Sequence, residues 1–86
     1  MKTRIALYGA LRDADASGHV ELDVPPGSSI AELRELLAAH LAEHAPAISA
    51  NLVRRSAFAS AEEILHNHRA VPESVELAIL PPVSGG

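Results

Sequence analysis

Apolar and polar residues alternate with a period of two over residues 3–8, with Thr3, Ile5 and Leu7 on one face and Arg4, Ala6 and Tyr8 on the other. That period predicts a half-buried strand. Residues 9–18, rich in Gly and Asp, read as a loop. Alternation then resumes in HVELDV, where Val20, Leu22 and Val24 oppose His19, Glu21 and Asp23. A single loop joining two strands favours an antiparallel pair. After Pro25-Pro26-Gly27 the period changes. Ser29 and Glu32 have the spacing of a capping box, and Ile30, Leu33, Leu36, Leu37 and Leu41 recur at helical intervals. One amphipathic helix is therefore predicted, ending before Pro46.

The pattern weakens beyond that proline. Arg54-Arg55 interrupts LVRRSAFAS, and a strand is expected around 56–60. Ser60 and Glu63 repeat the capping spacing, so a short helix and a turn leading into a strand near 63–66 are both open. Val75, Leu77 and Ile79 alternate with Glu76, Ala78 and Leu80, predicting a last strand that Pro81-Pro82 stops, because proline brings no amide to a ladder. The order is β-β-α-β-(β)-β. It describes an α+β domain over residues 1–80, a helix packed on one face of a sheet, with an extended tail over 81–86.

Composition narrows the function. A chain of 86 residues, 48% hydrophobic and 21% charged, has room for one core, and its aromatic residues are Tyr8 and Phe58. The net charge of −4 argues against a nucleic-acid partner, which requires a clustered cationic footprint. No apolar run is long enough to span a bilayer, and the N-terminus does not read as a signal peptide. No membrane partner is expected, and the default location is cytoplasmic. With no cysteine, the chain has neither a thiol nucleophile nor a thiolate metal site.

The loudest internal motif is His40-Leu41-Ala42-Glu43-His44, which matches the H-x-x-E-H spacing of a zinc helix. That chemistry needs a third ligand and a cleft, so the pair reads as a solvated helix end and no metal is expected. His66-Asn67-His68 reads as a polar loop. No glycine-rich phosphate loop and no nucleophile elbow occurs. Chemistry is left to the ending, PPVSGG. Two prolines make a stiff extended base, and two glycines make a tip without Cβ atoms. Six residues reach roughly 20 Å, enough to thread a narrow cleft.

An ending of this kind after an apolar strand resembles the MoaD/ThiS sulfur-carrier family, most closely its molybdopterin synthase small-subunit branch. Tyr8-Gly9-Ala10-Leu11-Arg12-Asp13 is similar to the family's segment after the first strand, Ser29 to Leu36 to its helix start, and Val75 to Gly86 to its final strand and tail. The resemblance implies a ubiquitin-like β-grasp fold, with the last strand beside the first in a mixed sheet. This sequence departs from the family in two places. Pro72-Glu73-Ser74-Val75-Glu76 stands where a glycine-containing acidic turn is usual, and Ser60-Ala61 where Val-Asn is typical.

The resemblance also implies a function. A partner adenylyltransferase of the ubiquitin-activating type would use ATP to make an acyl-adenylate on Gly86. A sulfur donor protein would convert it to a thiocarboxylate. The large subunit of molybdopterin synthase would then receive the tail and pass the sulfur to a pterin precursor in molybdenum cofactor synthesis. No cofactor is bound permanently, and the chain is not catalytic alone. Pro81, Pro82, Val83, Ser84 and Gly85 project the tip, and residues 82–86 are expected to be mobile until a cleft receives them. Tyr8, Arg12 and Phe58 are the candidate partner surface, together with small residues of the exposed sheet. Sulfur delivery to thiazole, cysteine or another metabolite, conjugation through Gly86 as a ubiquitin-like modifier, and a plain interaction domain stay open.

Overall fold

A computed structural model describes residues 1–82. Strand β1 (Lys2–Leu7) runs antiparallel to β2 (His19–Asp23), with Ile5 opposite Val20. Helix α1 (Ile30–His44) follows, then a short α2 (Ala50–Arg55), β3 (Ala57–Ala59), β4 (Ile64–Leu65) and β5 (Leu77–Leu80). The five strands form one sheet in the order β2-β1-β5-β3-β4. β5 lies parallel to β1 and antiparallel to β3, so the sheet is mixed and its last strand is central.

The period-two reading of the first strand holds: Thr3, Ile5 and Leu7 point inward and are buried. α1 begins as its sequence predicts. The Ser29 hydroxyl accepts from the Glu32 amide at 3.2 Å, and the Glu32 carboxylate accepts from the Ser29 amide at 2.9 Å. The next two free amides are also satisfied, since Ile30 donates to the Arg69 carbonyl and Ala31 to that of Asn67. The helix start is therefore closed by the 66–71 loop and offers no anion site. Ile30, Leu33, Leu37 and Leu41 are buried against the sheet, but Leu36 falls on the flank of the stripe and is exposed, while Ala38 is buried in its place.

Three features differ from expectation. Residues 9–18 are not simply loop: Gly9–Ala14 forms a 3-10 helix that buries Leu11 completely. α2 has no apolar stripe, being under two turns long. It forms because the Ser49 hydroxyl accepts the Asn51 amide and because Arg34 reaches over from α1 to its far end. There the Arg34 guanidinium donates to the carbonyls of Val53 (3.1 Å), Arg54 (3.4 Å) and Ser56. Its remaining N–H groups donate to Asn67 Oδ1, and its Cζ lies 5.1 Å from the Phe58 ring centre. Finally, β5 starts at Leu77, and Val75 is exposed.

The two readings left open near residue 60 resolve to the turn. The Ser60 hydroxyl accepts from the Glu62 and Glu63 amides, and the Ser60 amide donates to the Glu63 carbonyl, closing a tight turn into β4. Among the described residues, no helix is long and apolar enough to cross a membrane.

The turn before β5 keeps a glycine-type backbone without a glycine. Ser74 has φ +59°, the left-handed region, where a Cβ costs about 1–2 kcal/mol. Ser74→Gly is expected to stabilise the fold by roughly 0.5–1 kcal/mol, after the greater unfolded-state freedom of glycine is subtracted. A rise in the urea midpoint at unchanged slope is the expected readout.

Candidate functional site

The described part of the tail is its root. β5 ends at Leu80, opposite Ala57 of β3. Pro81 then passes over Gly9, the residue that opens the 3-10 helix after β1. Gly9 has φ +57°, and a Cβ built there would lie 2.7 Å from Pro81 Cγ. Gly9 is needed twice, for its backbone conformation and for the space the proline ring occupies. Sequence reasoning missed this residue. Its signals were a glycine placed directly after a strand and its place in the family-like segment Tyr8 to Asp13. Val83, Ser84, Gly85 and Gly86, and the mobility expected of 82–86, lie outside the described residues apart from Pro82.

Beside the root lies the outer face of the sheet, which no helix covers among the described residues. Ala6 of β1 is in register with Ala78 of β5, Ala78 with Ala59 of β3, and Ala59 with Ile64 of β4. Small side chains across three strands leave a shallow hollow of about 290 Å³, walled by Tyr8, Ser60, Ala61 and Glu76. Tyr8 is 49% exposed and Ile64 47%. Across β1 and β2 the same face turns polar. Lys2 stands opposite Asp23, Arg4 opposite Glu21, and His19 Nε2 lies 3.5 Å from the Glu76 carboxylate. An apolar strip across β1, β5 and β3, with a charged rim, suits a protein partner better than a small molecule.

The structure divides the expected partner-surface residues. Tyr8 and Arg12 are exposed and line a common small hollow beside Gly18. Phe58 does not belong with them. It is fully buried, because β3 turns it inward between Ile79 and Leu65 and under the Arg34 guanidinium. It is a core residue.

The two histidine motifs are also separated. His40 and His44 lie against each other at the C-terminal end of α1, ring centres 4.4 Å apart and planes tilted by 36°. Asn67, between His66 and His68, binds Arg34 near the other end of α1, a helix of about 20 Å. No group of three or more His, Asp or Glu side chains that could hold a metal occurs among the described residues. Burial, and then the neighbouring His44, push the His40 pKa below its usual value, against the weaker pull of Glu43 and Asp15. Asp15 is itself held low by the Ser17 hydroxyl and amide.

A mixed sheet with its last strand central, one long helix across its inner face and a tail leaving beside the first strand is the ubiquitin-like β-grasp of small carrier and modifier domains. The chain belongs to the ThiS family of sulfur carriers, whose family model matches residues 5–86. Its fold is similar to the crystal structure of SAMP1 from Haloferax volcanii, with 24% identity over all of both chains and a TM-score of 0.67. A second structure, of H. volcanii small archaeal modifier protein 1, is 22% identical over 95% of this chain and 98% of that one, with a TM-score of 0.66. At these identities the likeness is one of fold. No curated protein matches the chain.

Two measurements check this geometry. Gly9→Ala is expected to lose about 1–2 kcal/mol to its left-handed backbone and more to the proline ring. Pro81→Ala removes the clashing Cγ, so in a double-mutant cycle the pair should recover the steric share and keep the backbone share. For His40, the folded-state pKa lies below the unfolded value, so the unfolded chain binds more protons in that window. Its contribution is complete above about pH 6.5 and falls as the pH drops toward the folded value. Urea midpoints should decline from pH 7.5 to 5.5 in the wild type and decline less in His40→Gln.

Proposed function

We propose that this protein carries sulfur on the carboxyl group of Gly86 and delivers it to a pterin precursor in molybdopterin synthesis. The observation that carries the proposal is the tail root. A doubly hydrogen-bonded strand runs into Pro81-Pro82 beside an apolar docking strip, and the sequence beyond it closes on Gly85-Gly86. The molybdopterin destination is supported by the resemblance of Tyr8 to Asp13 and of the tail to that branch of the family.

A carboxylate is a poor acyl donor. Attack of the Gly86 carboxylate on the α-phosphate of ATP, held by an adenylyltransferase, gives an acyl-adenylate and releases pyrophosphate. A persulfide on a sulfur donor protein displaces AMP and forms an acyl disulfide. A second thiol then cleaves the S–S bond and leaves the Gly86 thiocarboxylate. With no cysteine in the chain, both thiols come from outside. The domain's own part is to bind through the Ala6–Ala78–Ala59 strip and Tyr8, and to aim the tail.

A second reading is conjugation of Gly86 to amines of other proteins, favoured by the small archaeal modifier protein among the fold neighbours. The two are separated by intact-mass spectrometry. In sulfur-replete cells a fraction of the protein should carry one sulfur in place of oxygen, and with the large synthase subunit it should convert the pterin precursor to a dithiolene. A ladder of high-mass adducts without the sulfur species would favour the modifier reading. On the docking strip, Ala78→Arg is expected to weaken adenylyltransferase binding at least about tenfold, or ~1.4 kcal/mol, with the fold intact by circular dichroism.

A further inference from the structure

An activated glycine acyl group is attacked by amines as well as by sulfur, and the nearest amines are those of its own chain. The positions of basic residues bear on this. The sequence contains six arginines and one lysine, Lys2. Because β1 and β5 are parallel, with Leu7 opposite Ile79, the tail leaves the sheet at the end of β1 farthest from Lys2. The α-amino group is at the Lys2 pole too, donating to the Val24 carbonyl at 2.8 Å.

The separation exceeds the reach of the tail. Five residues from Lys2 to Leu7 and three from Ile79 to Pro82 place Pro82 about 26 Å along the strand direction from Lys2, at roughly 3.3 Å per residue. The four residues beyond Pro82 extend at most about 14 Å, even if they fold straight back. A lysine's four-carbon stem does not span the difference.

At the tail pole the cations are arginines. Arg12 lies on the 3-10 helix that follows β1, beside Tyr8 and Gly18. Arg55 ends α2 two residues before Ala57, whose register partner Leu80 stands two residues before Pro82. Both are exposed. A guanidinium keeps its proton throughout the physiological range and has no free electron pair there, whereas a small fraction of an ammonium is present as the free, nucleophilic amine. Arginine here supplies positive charge without supplying an amine.

We propose that the tail pole is kept free of amines, with Arg12 and Arg55 as specificity-determining residues that let the activated Gly86 acyl group meet its sulfur donor without cyclising onto its own chain. The reaction avoided is attack of an uncharged amine on the Gly86 carbonyl. A C–N bond would form, the C–O bond to AMP would break, and the amine would lose a proton, leaving a dead-end lactam one water lighter than the free acid. The inference rests on the proposed activation of Gly86, but its chemistry can be tested without the partner enzymes.

The test uses the full chain bearing a Gly86 thioester of 2-mercaptoethanesulfonate, incubated at pH 8.5 and followed by intact mass and tandem mass spectrometry. Wild type is expected to hydrolyse to the free acid. Arg55→Lys, or Arg12→Lys should the first variant fold poorly, is expected to consume the thioester at least about tenfold faster by intramolecular attack. Its product is one water lighter, with the new lysine joined to Gly86. Equal rates and no lactam in both variants would overturn the proposal. So would a wild-type lactam at Lys2 or the N-terminus. The result is independent of whether an adenylyltransferase accepts the protein, so failure of the proposed function would show separately.

Discussion

β5 is hydrogen-bonded on both sides, parallel to β1 and antiparallel to β3, and the position of the tail root at Pro81 depends on that placement. An edge strand would fray from its end and let the tail wander with it. Here Leu77 and Ile79 are buried in the core, Ile79 facing Phe58 on one side and Leu7 on the other. The ladder stops where proline removes the amide, and Gly9 leaves room for Pro81 at that point. The last held residue and the first projecting one are adjacent.

The same ladder requires β3 to lie beside β5, and β3 is only three residues long. What holds it is a side chain. Arg34, in the second turn of the capping-box helix, uses one nitrogen on three carbonyls at the end of α2 and the others on Asn67. It thereby ties the irregular stretch between the helix and β5 to the most regular element of the fold. A lysine has the charge but not the planar fork that reaches both groups. Phe58 packs beneath that fork, which is why an aromatic expected at the surface belongs to the core.

The elements legible in the sequence are those whose signals are local and repeated. β1 and β2 alternate over five or six residues, and α1 has both a capping box and a stripe. α2 and the 3-10 helix are too short for a period to emerge, and both are set by tertiary contacts: Arg34 for α2, the burial of Leu11 for the 3-10 helix. Ser74 hides a left-handed turn because it is not the glycine that would announce one. Of the candidate site, composition and resemblance pointed to the tail, whose residues beyond Pro82 lie outside the described ones, and to Tyr8 and Arg12, which are exposed as a partner surface requires. The alanine strip was not legible, since Ala6, Ala59 and Ala78 meet only when three strands from both ends of the chain are in register.

The described residues form a scaffold without a metal cluster, thiol or anion-binding helix end, and the proposed function assigns the reactive group to the terminus. In that proposal the scaffold aims the tail, docks the partner and keeps amines away, and the Gly86 carboxyl group reacts. Carrier-dependent ATP–pyrophosphate exchange by the adenylyltransferase tests this division most directly. The unmodified chain should support exchange, and the same chain ending in a Gly86 carboxamide should support none. Equal exchange by both forms would contradict the account, because activation would then be occurring somewhere other than at that carboxyl group.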